Sequence, residues 1–142
     1  MPFYSLEPEV AGELGADTIM DTQQHPPRVR RLHYSFTGWL GDDILESFPC
    51  YIVTERLANA IRQAELTGLA LAGAKFTQSL QFDELYPRKK LPHFLWLQVV
   101  GVSGEDDFGM GEDHRVVVSG RALTVLRAFS LANCDIEEWG RS

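Results

Sequence analysis

Carboxylates are the side chains whose types and spacing come closest to a chemical site in this chain. One acidic stretch holds Glu105, Asp106, Asp107, Glu112 and Asp113 among glycines, which suggests a calcium loop at first sight. The acids do not alternate, however, and no acidic residue stands at the twelfth position of such a loop, so the EF-hand pattern is not met. We therefore expect a solvated acidic surface or a patch that faces a partner protein, and no metal.

A second acidic group consists of Asp42, Asp43 and Glu46, shortly after a glycine-flanked tryptophan, Trp39. Two acids before an apolar pair are typical of a helix N-terminus, where carboxylates bind free backbone N–H groups. The alternative is a contact with a partner protein. A tryptophan in a turn can likewise anchor either a local core or a partner, so Trp39 joins the candidate contact residues.

Known nucleophile and metal motifs are missing from the sequence. It contains no GxSxG, no HExxH and no glycine-rich phosphate loop. The histidines form no HxH or HxxxH pair, so we predict no zinc site and no cofactor. They are His25, His33, His93 and His114. The two cysteines, Cys50 and Cys134, lack CxxC spacing, and free thiols are favoured over a single disulfide.

The charge balance narrows the class of partner. The chain has 142 residues and a net charge of −7, with 20 acidic and 13 basic side chains. Because phosphate binding needs a positive surface, this balance argues against a nucleic-acid partner and favours a basic protein. Neither a secretory signal nor an apolar stretch long enough to span a bilayer is recognisable. We expect a soluble, cytoplasmic protein with no membrane partner.

Two similar stretches, near residues 50–71 and 115–136, are expected to supply the framework. Each begins with a β-branched run, followed by a hydroxyl residue, Thr54 or Ser119, of the type that caps a helix. Apolar residues follow at helical spacing, and Gly68 or Asn133 then stands where a left-handed residue could close the helix. The pattern predicts two strand–helix–strand units, produced either by internal duplication or by the common requirements of strand–helix junctions.

The other segments indicate mostly strands, within a single domain spanning residues 1–142. Residues 32–36 alternate as a half-buried strand does, and residues 75–82 favour another. Residues 91–102 are apolar on both parities, which predicts a central strand, whereas residues 38–49 are expected to form a turn with one helical turn. The sequence therefore predicts an α+β fold: a central mixed or antiparallel sheet with two short helices from a possible strand–helix–strand duplication.

Several stretches of the chain resemble small bacterial proteins grouped with the immunity proteins of polymorphic toxin systems. They fall within residues 4–138 and read LEPEVAGELG, GWLGDDILESFPCYIVTERL, LTGL, LPHFLWLQVVG, DDFGM and RVVVSGRALTVLR. The resemblance implies a cytoplasmic protein that binds and silences a cognate toxin, is acidic where the toxin is basic, and is not an enzyme. It supplies no functional residues, because these stretches are not chemical signatures.

Two functions from different classes follow. The first is an immunity-type binding protein that contacts its toxin through Trp39, the Asp42–Glu46 group and the acidic stretch 105–113. The second is a small enzyme or ligand-binding domain with a cleft near the 104–114 loop, lined by His93, His114 and that loop. A homodimer is a third, weaker alternative. We favour the binding protein, because the motifs of catalysis are missing and the charge is acidic.

Overall fold

The computed structural model describes residues 2–24 and 27–140, which form thirteen strands and three helices. The first seven strands are β1 (Phe3–Glu7), β2 (Gly12–Leu14), β3 (Ile19–Asp21), β4 (Arg28–Arg31), β5 (His33–Phe36), β6 (Ile44–Ser47) and β7 (Cys50–Thr54). The others are β8 (Leu69–Ala72), β9 (Lys75–Gln78), β10 (Phe94–Val99), β11 (Phe108–Met110), β12 (Val116–Ser119) and β13 (Asp135–Trp139). The helices are α1 (Glu55–Gln63), α2 (Leu80–Leu85) and α3 (Gly120–Arg127).

These strands are divided among several sheets. Sheet A has the order β11-β12-β1-β13 and sheet B the order β6-β7-β10-β8, with antiparallel pairing throughout both. Sheet C has the order β2-β5-β9, and β3 pairs with β4 as a separate ribbon. The predicted α+β class is confirmed. Within the described residues, no helix is long and apolar enough to cross a membrane.

Sheets A and B have the same internal plan. In sheet B, β6 and β7 precede α1 in the chain, β8 follows it, and β10 completes the sheet. In sheet A, β11 and β12 precede α3, β13 follows it, and β1 completes the sheet. The cross-strand registers also correspond. Matched pairs are Thr54–Phe94 with Ser119–Phe3, Val53–Ile44 with Val118–Phe108, and Ala72–Trp96 with Glu137–Ser5. The two units are thus one structural repeat, with the last strand of the second unit taken from the start of the chain.

One hydrophobic core joins both units. Helix α1 contributes Leu57 and Ile61, and α3 contributes Leu123 and Leu126, all of them at most 3% exposed. The sheets add the inward-facing residues Leu6, Ile44, Val53, Leu97, Phe108, Val116 and Val118. Because burial of one such side chain contributes about 1.5–3 kcal/mol, this shared core holds the two sheets and the two long helices together.

A second core covers the other face of sheet B. Its sheet B members are Leu45, Cys50, Ile52, Phe94 and Trp96, which pack against Leu32, Tyr34 and Phe36 of the β4–β5 segment and Phe82 of α2. The Tyr34 hydroxyl accepts a hydrogen bond from the Ala11 N–H and donates one to the Glu46 carbonyl. Sheet C and α2 therefore form an additional layer on sheet B.

The two long helices begin as predicted but end earlier. The hydroxyls of Thr54 and Ser119 accept hydrogen bonds from the N–H groups three residues on, so both are N-caps. Helix α1 ends at residue 63 and α3 at residue 127, so Gly68 and Asn133 do not close them, and that prediction is wrong. Gly68, at φ +86°, is needed for a different reason: a Cβ there would lie 2.1 Å from the Phe108 carbonyl oxygen.

Two local predictions are also corrected. The strand expected over residues 75–82 ends at Gln78, because Ser79 caps a new helix through the Phe82 N–H. The segment expected to form a turn instead contains β6, because Ile44 and Leu45 are fully buried and extend along β7. Both errors arise in short segments where apolar residues serve either type of element.

A circular permutant is expected to fold. Phe3 lies opposite Trp139 in sheet A, and paired residues in neighbouring strands are about 5 Å apart. A short Gly/Ser linker from Gly140 to Pro2, with new ends opened in the exposed Pro87–Lys90 turn, would place β1 directly after β13 and make the sheet A unit continuous in sequence. We expect the same circular dichroism spectrum and one cooperative unfolding transition in urea; a permutant without cooperative unfolding would contradict the pairing of β1 with β13.

Candidate partner-binding site

Asp43 is part of the framework. Its side chain is 1% exposed and accepts hydrogen bonds from Arg56 Nε and Nη2, both at 2.7 Å. It also accepts from Thr54 Oγ1 at 2.5 Å and from the Ser130 N–H at 2.9 Å. Burial raises the pKa of Asp43, but the hydrogen bonds from Arg56, Thr54 and Ser130 outweigh it, so the pKa lies below its usual value. Asp43 thus ties the start of α1 to the segment after α3.

Asp107 occupies the same position in the other unit. It accepts hydrogen bonds from Ser119 Oγ at 2.6 Å, from Arg121 Nη2 at 2.8 Å and from the Thr67 N–H at 2.9 Å. Burial raises the pKa of Asp107. The hydrogen bonds led by those from Arg121 and Ser119 lower it by more, so the pKa lies below its usual value. Asp107 ties the start of α3 to the segment after α1. We call these two arrangements the aspartate clamps.

Asp42 is buried as well. It is fully inaccessible and accepts hydrogen bonds from the Asn133 N–H at 2.9 Å, from Asn133 Nδ2 at 3.1 Å and from Ser130 Oγ at 3.4 Å. The prediction of partner contacts is therefore corrected for Asp42, Asp43 and Asp107, because their carboxylates are used within the fold. The alternative of helix N-capping by Asp42 and Asp43 is also wrong, because a strand follows them.

The remaining predicted acids lie at or near the surface. Glu105, Glu112 and Asp113 are exposed, whereas Glu46 and Asp106 are half-buried. Asp106 accepts a hydrogen bond from the Val102 N–H at 2.8 Å and so stabilises its own loop. In the part of the chain that the structure describes, no group of three or more His, Cys, Asp or Glu side chains could hold a metal ion.

Strand alternation gives β1 and β13 of sheet A an outer side that no further sheet of the described residues covers, whereas Val117 on the same side of β12 is fully buried. Leu6, Ile136, Val116 and Val118 point into the shared core, so their neighbours along each strand point outward. On β1 and β13, which are adjacent, the outward residues are Phe3, Ser5, Glu7, Asp135, Glu137 and Trp139. We call these six residues the acidic face.

The acidic face combines exposed carboxylates with half-buried aromatic rings. Glu7, Asp135 and Glu137 are exposed, and the Phe3 and Trp139 rings meet edge to face with centroids 6.2 Å apart. At its centre, Ser5 Oγ is buried and has no hydrogen-bond partner among the described residues. The neighbouring β11 is covered, since a Cβ on Gly109 would lie 2.2 Å from the Ser103 nitrogen.

The repeat allows the acidic face to be compared with its counterpart in sheet B. The register places Ser5 where sheet B has Trp96, and Glu137 where sheet B has Ala72. Both sheet B residues belong to the second core, beneath the layer formed by sheet C and α2. These two positions are therefore apolar in sheet B, where a layer covers them, and polar or charged in sheet A. The acidic face is suited to water or to a polar partner.

Predicted acids extend the acidic face at the Glu7 end. Arg115 Nη2 lies 3.6 Å from a Glu7 oxygen, and Arg115 Nε lies 4.0 Å from an Asp113 oxygen. Burial, followed by the nearby charge of Glu7, raises the pKa of Glu46, while Arg115 lowers it in part. Three carboxylates thus surround one guanidinium, which leaves this end of the face negative.

Replacement of Glu46 by Gln is expected to change the pH dependence of stability. A carboxyl whose pKa is raised by folding stabilises the protein when protonated, below about pH 4.5, and this contribution is lost as pH rises through the folded pKa. The variant should therefore raise Tm at neutral pH by about 2 °C and flatten the dependence of Tm on pH above about pH 4.5. Thermal melts at several pH values measure this, with exposed Glu105→Gln as the control; equal curves for wild type and Glu46→Gln would contradict it.

Trp39 packs mainly into the second core. Its Nε1 donates a hydrogen bond to the Asp42 carbonyl at 2.9 Å, and its ring meets Phe94 edge to face at 6.0 Å. The Lys89 ammonium lies 5.4 Å from the ring centroid, where a cation–π contact is favourable. Trp39 is half-buried and apart from the acidic face, so its structural surroundings favour local packing over partner contact.

The side chains named for the enzyme alternative are not brought together. Asp107 is held by Ser119 at one end of the β11–β12 hairpin, whereas His114 lies in the turn at the other end, on the order of 10 Å away. His93 is exposed at the entrance to β10. Both cysteines are free thiols, and burial raises the pKa of Cys50 to about 12, opposite to what a nucleophile needs. His33 is buried against Thr77, and His25 lies outside the described residues.

The acidic-face residues that sequence reasoning misses as candidates lie in β1 and β13. The composition of residues 137–142 is typical of a tail, and Asp135–Trp139, with two glutamates in succession, lacks the alternation of a half-buried strand. Glu7 precedes a proline, which favours a loop. The residues of the acidic face come together only because β1 pairs with β13, and these two strands are far apart in the sequence.

Comparisons with protein-family models, with curated proteins and with solved structures found no match to this chain.

Proposed function

We propose that this chain is an immunity-type protein that neutralises a cognate bacterial toxin domain by direct contact through the acidic face. The observation that carries the proposal is the outer side of β1 and β13, where the Phe3–Trp139 pair lies at one end and the exposed carboxylates Glu7, Asp135 and Glu137 occupy the rest. Protein interfaces are enriched in aromatic side chains, and their rims are polar or charged.

The charge distribution supports a basic partner. The acidic face, Glu46, Glu112 and Asp113 lie in one region, and the chain as a whole carries −7. Such a surface accelerates association with a positively charged protein and discriminates against acidic ones. The proposal places the protein in the cytoplasm, where Cys50 and Cys134 would be kept reduced.

Co-expression with the toxin encoded beside its gene tests the proposal. Cells that produce the toxin domain alone should stop growing, and cells that also produce this chain should grow and yield a complex on purification. A chain with disrupted folding, Leu57→Asp in the shared core, is the control for an effect of expression alone. Failure of the folded chain both to rescue growth and to copurify with the toxin would count against the proposal.

A further inference from the structure

Strand β4 has one edge that no strand of the described residues covers. It continues through Leu32 into β5, which is paired on both sides, by β2 and by β9. β4 itself pairs only with β3, and its other edge forms no backbone hydrogen bond with a described residue. Unpaired N–H and C=O groups at such an edge are a template for an additional strand.

A groove runs along this free edge, between β4 and sheet B. It consists of two adjoining clefts of about 420 Å³ and 350 Å³ that share Trp96. Arg28 and Val29 line the first cleft, and Arg30 and Arg31 line the second. The opposite wall comes from sheet B and the β8–β9 connection, so the space can hold an extended chain.

The groove is the basic part of an acidic protein. Arg28, Arg30 and Arg31 are exposed, and none of them forms an ion pair with a described residue within 4.0 Å. Lys75 also borders it and pairs with Asp17. Arg28 and Arg30 are two residues apart on a strand and therefore point to the same side.

We propose that this groove binds an extended acidic segment of a partner protein, which adds to β4 as a strand with carboxylates opposite Arg28 and Arg30. Strand addition supplies main-chain hydrogen bonds, and alternate side chains supply specificity. Opposite charges directly across a strand pair are favourable. The site has the opposite charge to the acidic face and does not depend on the proposed function.

Two other occupants fit the groove less well. A nucleic acid cannot hydrogen-bond in register with a strand edge, and the net charge of −7 repels it at longer range. The acidic β13 of a second copy could pair with β4, but closure into a dimer would require β4 and β13 of each copy to be engaged at the same time across a twofold axis.

Peptide binding tests the proposal. The probe is a fluorescent eight-residue peptide of alternating glutamate and valine, titrated with the full chain at low salt and followed by anisotropy. The double variant Arg28→Glu/Arg30→Glu should weaken binding by at least about tenfold. The matched control, Arg62→Glu/Arg127→Glu on the helices, should leave affinity within about twofold, and circular dichroism verifies both folds.

Further probes separate strand addition from simple charge attraction. A peptide with the same composition but glutamates and valines in separate blocks, and the alternating peptide with N-methylated amides, should both bind at least about tenfold more weakly. Equal binding of these peptides, tighter binding of oligothymidylate, or no binding of the alternating peptide would overturn the proposal. The proposal would also be overturned if the molar mass in solution rose with protein concentration and the double variant Asp135→Lys/Glu137→Lys removed this rise. That result would assign the groove to β13 of a second copy.

Discussion

Replacement of Asp43 by Asn is expected to lower the free energy of unfolding by about 3 kcal/mol, since hydrogen bonds to a buried charged group contribute about 1.5–3 kcal/mol each. The change keeps the shape of the side chain but leaves donors from Arg56, Thr54 and Ser130 facing an amide. Asp107→Asn should act in the same direction and less strongly, because Asp107 is more accessible. Urea denaturation followed by tryptophan fluorescence measures both.

The aspartate clamps also predict how the free energy of unfolding changes at low pH. Folding lowers the pKa of Asp43 and Asp107 below 3.8, so their contribution is complete above that pH and is lost as pH falls through the lowered values. Each Asn variant should therefore show less loss of stability between pH 4 and pH 2 than the wild type. The exposed Asp83→Asn is the control and should stay within about 0.5 kcal/mol. An Asp43→Asn protein as stable as that control would contradict the clamp.

Reversal of charge on the acidic face is expected to weaken the complex with the toxin about a hundredfold, because like charges across an interface are strongly unfavourable. The variant is Glu7→Lys/Asp135→Lys/Glu137→Lys, whose positions are exposed, so the fold should be retained. Titration calorimetry gives the dissociation constant, and growth in the co-expression assay gives the biological effect.

A second triple variant controls for net charge. Glu55, Asp83 and Glu84 are also exposed acids, on α1 and α2, and their replacement by Lys changes the total charge by the same amount. We expect less than about a fivefold change in affinity for this variant, because it acts only through long-range steering. Equal weakening by both triple variants would show that the position of the charges on the acidic face is unimportant.

The sequence predicts those parts of the fold that depend on local signals. Thr54 and Ser119 are recognisable as caps because a hydroxyl residue directly before an amphipathic run is the usual start of a helix. The α+β class follows from the same periodicities. The predicted helix ends are wrong because Gly68 is needed for close approach to Phe108, a contact between distant segments that no local pattern records.

The candidate site is less predictable, because charge alone does not separate buried acids from exposed ones. Asp42 and Glu46 are close in sequence, yet one is fully enclosed by Asn133 and Ser130 and the other is half-exposed. The acidic face depends on the pairing of β1 with β13, the first and last strands. Such an arrangement is visible only in three dimensions.

Radical footprinting of the toxin complex tests the central claim most directly. The protein and its complex are exposed to hydroxyl radicals, and oxidation is measured residue by residue with mass spectrometry. If the toxin binds the acidic face, complex formation should protect Phe3 and Trp139 from oxidation. Phe48 and Tyr86, which are exposed elsewhere, should be oxidised to the same extent in the free protein and in the complex. Protection of Phe48 or Tyr86 with unchanged oxidation of Phe3 and Trp139 would contradict the account.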